Sequence, residues 1–155
     1  MLTFRSHDGV FNYRVAAVLM RPDTVLIQRA PDDDFWALPG GRVEFGETSS
    51  DALVRELREE IGICVEVQRL LWLVENFFAT PGEPYHEISL YYSVRALDPL
   101  PTGPEFPGLT EDRQPPLVFR WQALETLAEI RLFPTFLAGG LRDLPTEIAH
   151  IVQRD

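Results

Sequence analysis

The segment from Thr48 to Gly62 reads as one well-bounded helix, and the rest of the chain has to be built around it. Thr48 is a good N-cap residue, and Asp51 three positions on gives a short-armed capping box. Gly62 suits the left-handed position where a helix stops. Leu53, Val54, Leu57 and Ile61 recur with helical spacing and make an apolar stripe that needs a core to pack on. Glu56, Glu59 and Glu60 stand at i, i+3 and i+4, so their carboxylates share one side. In an exposed helix such like-charge pairs oppose folding by roughly 0.2–0.5 kcal/mol each. Glu56 and Glu60 flank the apolar stripe at the margin between core and solvent, Glu59 lies further round, and Arg55 reaches Glu59 at i+4. A solvated, salt-bridged helix face is the bland reading of such a run. It would turn the acids away from the core.

The flanking sequence supplies the partner layer. The run "RVAAVLM" (14–20) suits a buried strand, Pro22-Asp23 a turn, and "TVLIQR" (24–29) a second strand. "APDDDF" is a polar loop, and Pro39, Gly40 and Gly41 permit a close backbone approach to a ligand. "CVEVQRLLWLVENFF" (64–78) reads as one long or two broken strands, "HEISLYYSVRAL" (86–97) as another, and "LVFRW" (117–121) as a short one. Residues 97–116 are rich in proline and read as structureless, in the manner of a lid, a binding loop or a simply mobile stretch. "QALETLAEI" (122–130) looks helical, and further helix is expected over 134–141 and from Pro145 onward. Strands before and after one firm helix, with more helix at the end, predict an α/β or α+β fold with a mixed sheet between helices, in a single domain over residues 1–155.

Charge and composition remove several function classes. Twenty-four acids against 14 basic residues leave a formal net charge of −10, which argues against a nucleic-acid polymer as partner. Every basic residue other than histidine is arginine; without lysine there is no Schiff-base chemistry and no P-loop. No apolar run approaches a membrane span, and the first residues do not read as a signal region, so a cytoplasmic protein is expected. The single Cys64 is expected to be a buried thiol.

Carboxylates crowded beside a glycine turn have a good physical explanation in a hard divalent cation, which takes oxygen ligands and cancels their repulsion. From Gly41 to Ile63 the chain reads "GRVEFGETSSDALVRELREEIGI", with Gly41, Glu47, Arg55, Glu56, Leu57, Glu59, Glu60, Gly62 and Ile63 in fixed spacing. This resembles the complete Nudix box. The resemblance implies an α/β/α sandwich with a mixed sheet and a loop–helix–loop motif. It also implies cleavage of a nucleoside diphosphate linked to another moiety, with Mg2+ or Mn2+.

Carried over residue by residue, the resemblance makes Glu56 and Glu60 the main metal ligands and Glu59 a further ligand or the general base. A carbonyl of the Gly40-Gly41 turn would complete the coordination, Arg55 would hold the helix glutamates, and Glu47 would tie the loop to the helix. Glu111, Asp112 and Glu87 are alternative bases. Arg29 matches a phosphate-contacting arginine of triphosphate-hydrolysing relatives. Trp36, Phe77, Phe78 and Tyr85 are candidates to stack on a base, with Phe78 carried as the substrate contact; His86 could reach a phosphate. Markers of the NADH, ADP-ribose and dinucleoside polyphosphate subgroups are absent or displaced, so a nucleoside triphosphate is the favoured substrate. ADP-ribose, a nucleotide sugar or a dinucleoside polyphosphate is the alternative, and a non-catalytic nucleotide-binding domain is the alternative class. A homodimer is compatible with the family and the aromatic content.

Overall fold

The structure is a computed structural model and describes every residue except Asp112, so that candidate base lies outside the described residues. In chain order the elements are β1 (Thr3–Ser6), β2 (Gly9–Leu19), β3 (Thr24–Arg29), β4 (Gly40–Arg42), α1 (Ser49–Ile61), β5 (Val65–Thr80) and β6 (Glu83–Ala96). These are followed by β7 (Glu105–Pro107), β8 (Val118–Ala123), a 3-10 helix (Leu124–Glu129), α2 (Leu137–Gly140) and β9 (Ala149–Arg154). The main sheet runs β1-β2-β6-β5-β9, with β4 beside β2 beyond β1. It is mixed: β2 and β6 are parallel, as are β5 and β9, while β5 and β6 form a long antiparallel hairpin. A smaller antiparallel sheet holds β3, β8 and β7.

The main sheet is covered on both faces. Val15, Ala17 and Leu19 of β2 pack with Ala52, Leu53 and Leu57 of α1, whereas Ala16 and Val18 pack with Trp36, Leu38, Leu127 and Leu137. Two-sided burial explains why this stretch of β2 is continuously apolar rather than alternating. The outer layers are unequal: α1 has 13 residues, but the opposite layer is a 3-10 helix and a four-residue α2. The α1 boundaries follow the sequence. Thr48 accepts a hydrogen bond from the Asp51 amide at 3.1 Å, and Gly62 ends the helix at φ +80°.

Three expectations change, and one open choice is resolved. The C-terminal segment after Pro145 is not helix but β9, whose residues alternate half-buried and exposed. Ala149 and Ile151 turn inward there, and pairing with Trp72–Phe77 supplies the partners that a lone segment lacks. The proline-rich 97–116 stretch is not structureless throughout, since β7 within it pairs with β8. Residues 65–80 form one strand, with register shifts at Val67/Arg69 and Leu70/Trp72 where a break was the alternative. Cys64 is half-buried rather than buried, with an Arg58 guanidinium nitrogen 3.6 Å from its sulfur.

Gly40 shows how tightly β4 lies on β2. A Cβ at this position would run into the Val15 carbonyl oxygen and lie 2.8 Å from Ala16 Cα. Both are backbone atoms of a buried strand and cannot step aside. Gly40→Ala is therefore expected to destabilise the fold by about 1–3 kcal/mol, read as a lower urea midpoint.

Candidate active site

The box begins on β4 and continues through a loop into α1, so pairing with β2 fixes one end and core packing fixes the other. Arg55 stands between them. Its Nη2 donates to Glu47 Oε1 at 2.6 Å and to the Arg42 carbonyl at 3.1 Å, and its Nε donates to Glu47 Oε2 at 3.2 Å. Its Nη1 donates to Glu56 at 3.0 Å and to Glu59 at 3.1 Å. Glu47 also accepts from the Glu44 amide at 2.7 Å, which closes the loop on itself. One guanidinium thus links β4, the loop and two glutamates of α1.

The charges respond to their surroundings in opposite ways. The hydrogen bond from Arg55 holds the Glu47 carboxyl below the usual carboxylate range, against the effect of its burial. Burial pushes Glu56 up, and it outweighs the Arg55 hydrogen bond that pulls the other way. The Glu56 side chain is 13% exposed and Glu59 41%, so Glu56 is the acid drawn inward. It rests against Gly41, where a Cβ would collide with its carboxylate. Glu60 is half-buried, and its backbone carbonyl accepts from the Leu109 amide at 2.8 Å.

A buried carboxylate with a raised pKa, seated in the space a glycine leaves, is the setting in which a hard cation gains most by pairing. The donors are oxygens throughout, which fits such an ion. Among the described residues no three acids, histidines or cysteines converge as a ready metal cluster. Glu47, Glu56 and Glu59 are gathered around Arg55 instead, so an ion would compete with the guanidinium for Glu56.

The other candidates lie elsewhere. The Arg29 guanidinium donates to the Pro31 and Asp33 carbonyls, both at 3.0 Å, which commits it to its own loop. Trp36 is in the core, with Arg120 over its ring at 4.3 Å, and is not open for stacking. Phe78 stacks on Tyr85 at 4.9 Å, while Phe77 lies against His86 at 4.5 Å with Arg154 over its ring at 4.3 Å. Glu111 is exposed. Glu87 sits mid-sheet, 7% exposed, accepting from the Ser89 hydroxyl at 2.9 Å. Sequence reasoning passed over Arg14, whose Nη2 donates to the Leu38 carbonyl at 3.1 Å next to the glycine turn. A lone guanidinium opening an otherwise apolar run was the available signal.

Two variants separate geometry from stability here. The fold favours the ionised form of Glu47, so its contribution is complete above the ordinary carboxylate range and is lost as pH falls through the lowered value. Glu47→Gln should cost roughly 1–2 kcal/mol at pH 7. That gap should close in acid, read by urea titrations across pH. Gly41→Ala meets a side chain rather than backbone, so it should remain folded by circular dichroism while displacing Glu56.

Comparison with known proteins agrees with this geometry. The NUDIX domain model matches residues 10–138. YjhB of Bacillus subtilis (strain 168), named provisionally as an ADP-ribose pyrophosphatase, is 33% identical over 111 residues, covering 66% of this chain and 52% of its own length. A Caenorhabditis elegans protein named provisionally as nudix hydrolase 1 is 35% identical over 115 residues, 70% of this chain and 30% of its own. The chain therefore spans about half or less of the length of these relatives. The crystal structure of a MutT NUDIX hydrolase from Burkholderia pseudomallei superposes with a TM-score of 0.58 at 30% identity, covering 74% of this chain and 84% of that one. The chain belongs to the Nudix family.

Proposed function

We propose that this chain acts in the cytoplasm, as a single domain, as a divalent-metal-dependent pyrophosphohydrolase. Its substrate is a nucleoside diphosphate linked to a further group, cleaved by water attack on phosphorus. The observation that carries the reading is the seating of Glu56 against Gly41, within an unbroken box held by Arg55. Glu56, Glu60 and Glu59 would hold Mg2+ or Mn2+, with a Gly41 carbonyl beside them. The ion, when bound, supplies charge to neutralise the pyrophosphate and acidify a water. The chain supplies the rest. Arg55 holds Glu56 and Glu59 in place from a single guanidinium, the glycine turn lets Glu56 seat against the backbone, and Glu59, the more exposed acid, takes the water's proton.

A nucleoside triphosphate remains the favoured substrate, supported by the name of a Proteus vulgaris relative, 8-oxo-dGTP diphosphatase, 52% identical over 44 residues. ADP-ribose is favoured by a specific observation of its own, the names carried by YjhB and by a Methanocaldococcus jannaschii relative. The test incubates the protein with Mg2+ and nucleoside triphosphates, ADP-ribose, nucleotide sugars and dinucleoside polyphosphates, with products read by chromatography. Glu56→Gln and Glu60→Gln should each lower turnover about 100-fold or more while staying folded, and chelation should abolish it. Equal turnover by Glu60→Gln and parent would sink the metal-site reading. Metal-independent binding with no turnover across the panel would favour the non-catalytic domain.

A further inference from the structure

The main sheet carries a row of polar side chains that the box does not account for. Register aligns Thr3 with Asn12, Asn12 with Glu87, Glu87 with Asn76, and Asn76 with Gln153, across all of β1, β2, β6, β5 and β9. Residues paired across strands share a face. This is the face turned away from α1, because Ala16, Tyr91 and Val74 further along it pack with Leu38 and Leu137. Asn12 is 3% exposed, Asn76 6% and Glu87 7%. Side chains of these types are seldom buried without a partner to bond.

The row has acceptors in excess. Glu87 takes the Ser89 hydroxyl at 2.9 Å and, at 3.4 Å, the Asn12 amide nitrogen. That carboxylate orients the Asn12 amide, since the opposite orientation would set oxygen against oxygen. Asn12 Oδ1 is left with no partner, and so are Asn76 Oδ1 and Thr3 Oγ1. Each unmatched polar atom costs folding free energy that an apolar side chain would not; the two amide oxygens can only accept, whereas the Thr3 hydroxyl can also donate.

The neighbouring rows on this face have complementary chemistry. On one side lie Val10, Tyr85 and Phe78, the two rings stacked 9° from parallel. On the other lies Arg14, which pairs with Arg42 of the box strand. An aromatic plane, a line of acceptors, a guanidinium and the glycine turn therefore follow one another along one surface of the sheet.

We propose that Asn12, Glu87 and Asn76 select the organic group of the substrate, taking one that presents adjacent hydrogen-bond donors. The N–H and amino edge of a purine has that chemistry, and so do the hydroxyls of a sugar. Its phosphates would extend past Arg14 and round β4 to the α1 face, where Glu56 lies against Gly41. This inference rests on the pyrophosphohydrolase reading and names the substrate class it serves.

The test compares the parent with Asn76→Leu and Glu87→Gln on two substrate pairs. Guanosine and inosine triphosphates differ by one amino group; ADP-ribose and the methyl ester of ADP differ by the terminal ribose with its hydroxyls. Melting temperature and calorimetric binding of guanosine and inosine monophosphates are measured alongside. Asn76→Leu should melt higher than the parent, because it removes an unmatched acceptor. It should also raise KM about tenfold or more for the donor-bearing member of one pair, with the loss greater in KM than in kcat. The pair that responds identifies base or sugar. Lower stability with KM and pair preference unchanged would overturn the proposal and leave the row a structural network. Should the parent hydrolyse nothing while Asn76 still governs monophosphate binding, the hydrolase reading falls and the row's role stands. Normal hydrolysis with binding indifferent to both substitutions is the reverse, and sinks the proposal alone.

Discussion

One guanidinium holds the box together. Arg55 bonds to Glu47, Glu56, Glu59 and the Arg42 carbonyl, and without it three carboxylates of an acidic chain would repel one another across a half-buried gap. The planar fork of arginine reaches several acceptors at once from a single side chain, which an ammonium cannot do with fixed geometry. The arrangement is also unequal. Glu47 is stabilised as an ion and Glu56 is not, so the network leaves one acid whose charge still lacks full compensation. Chemistry that needs a cation begins at that imbalance.

The two glycines of the turn divide the work. Gly40 lets β4 lie against the backbone of β2, and Gly41 lets a side chain of α1 come in behind it. The first is a condition of the sheet, the second a condition of the site. Their adjacency ties the position of Glu56 directly to a buried strand, so the acid is located by the rigid part of the molecule.

The parts legible in the sequence were those with local causes. Thr48, Gly62 and the Leu53–Leu57 stripe define α1 without reference to anything distant, and the box spacing states its own arrangement. β9 was not legible, because Ala149–Arg154 becomes strand only through pairing with β5, more than seventy residues earlier. Glu87 was legible only as a lone acid in a strand, and only the register shows Asn12 and Asn76 at its sides. Arg29 matched by position, yet its guanidinium is taken by its own loop, a contact that no motif spacing encodes.

The parallel pairing of β2 with β6 has a consequence for how the chain is made. Val10 meets Tyr85, and Leu19 meets Val94, so the central pair of the sheet cannot close until most of the chain exists. Contacts of such sequence separation form slowly, since loop closure precedes any gain from pairing. During synthesis the acidic helix emerges before the strand that completes the surface beneath it. Contacts made only after α1 has emerged are thus the ones that turn a charged, amphipathic segment into a site.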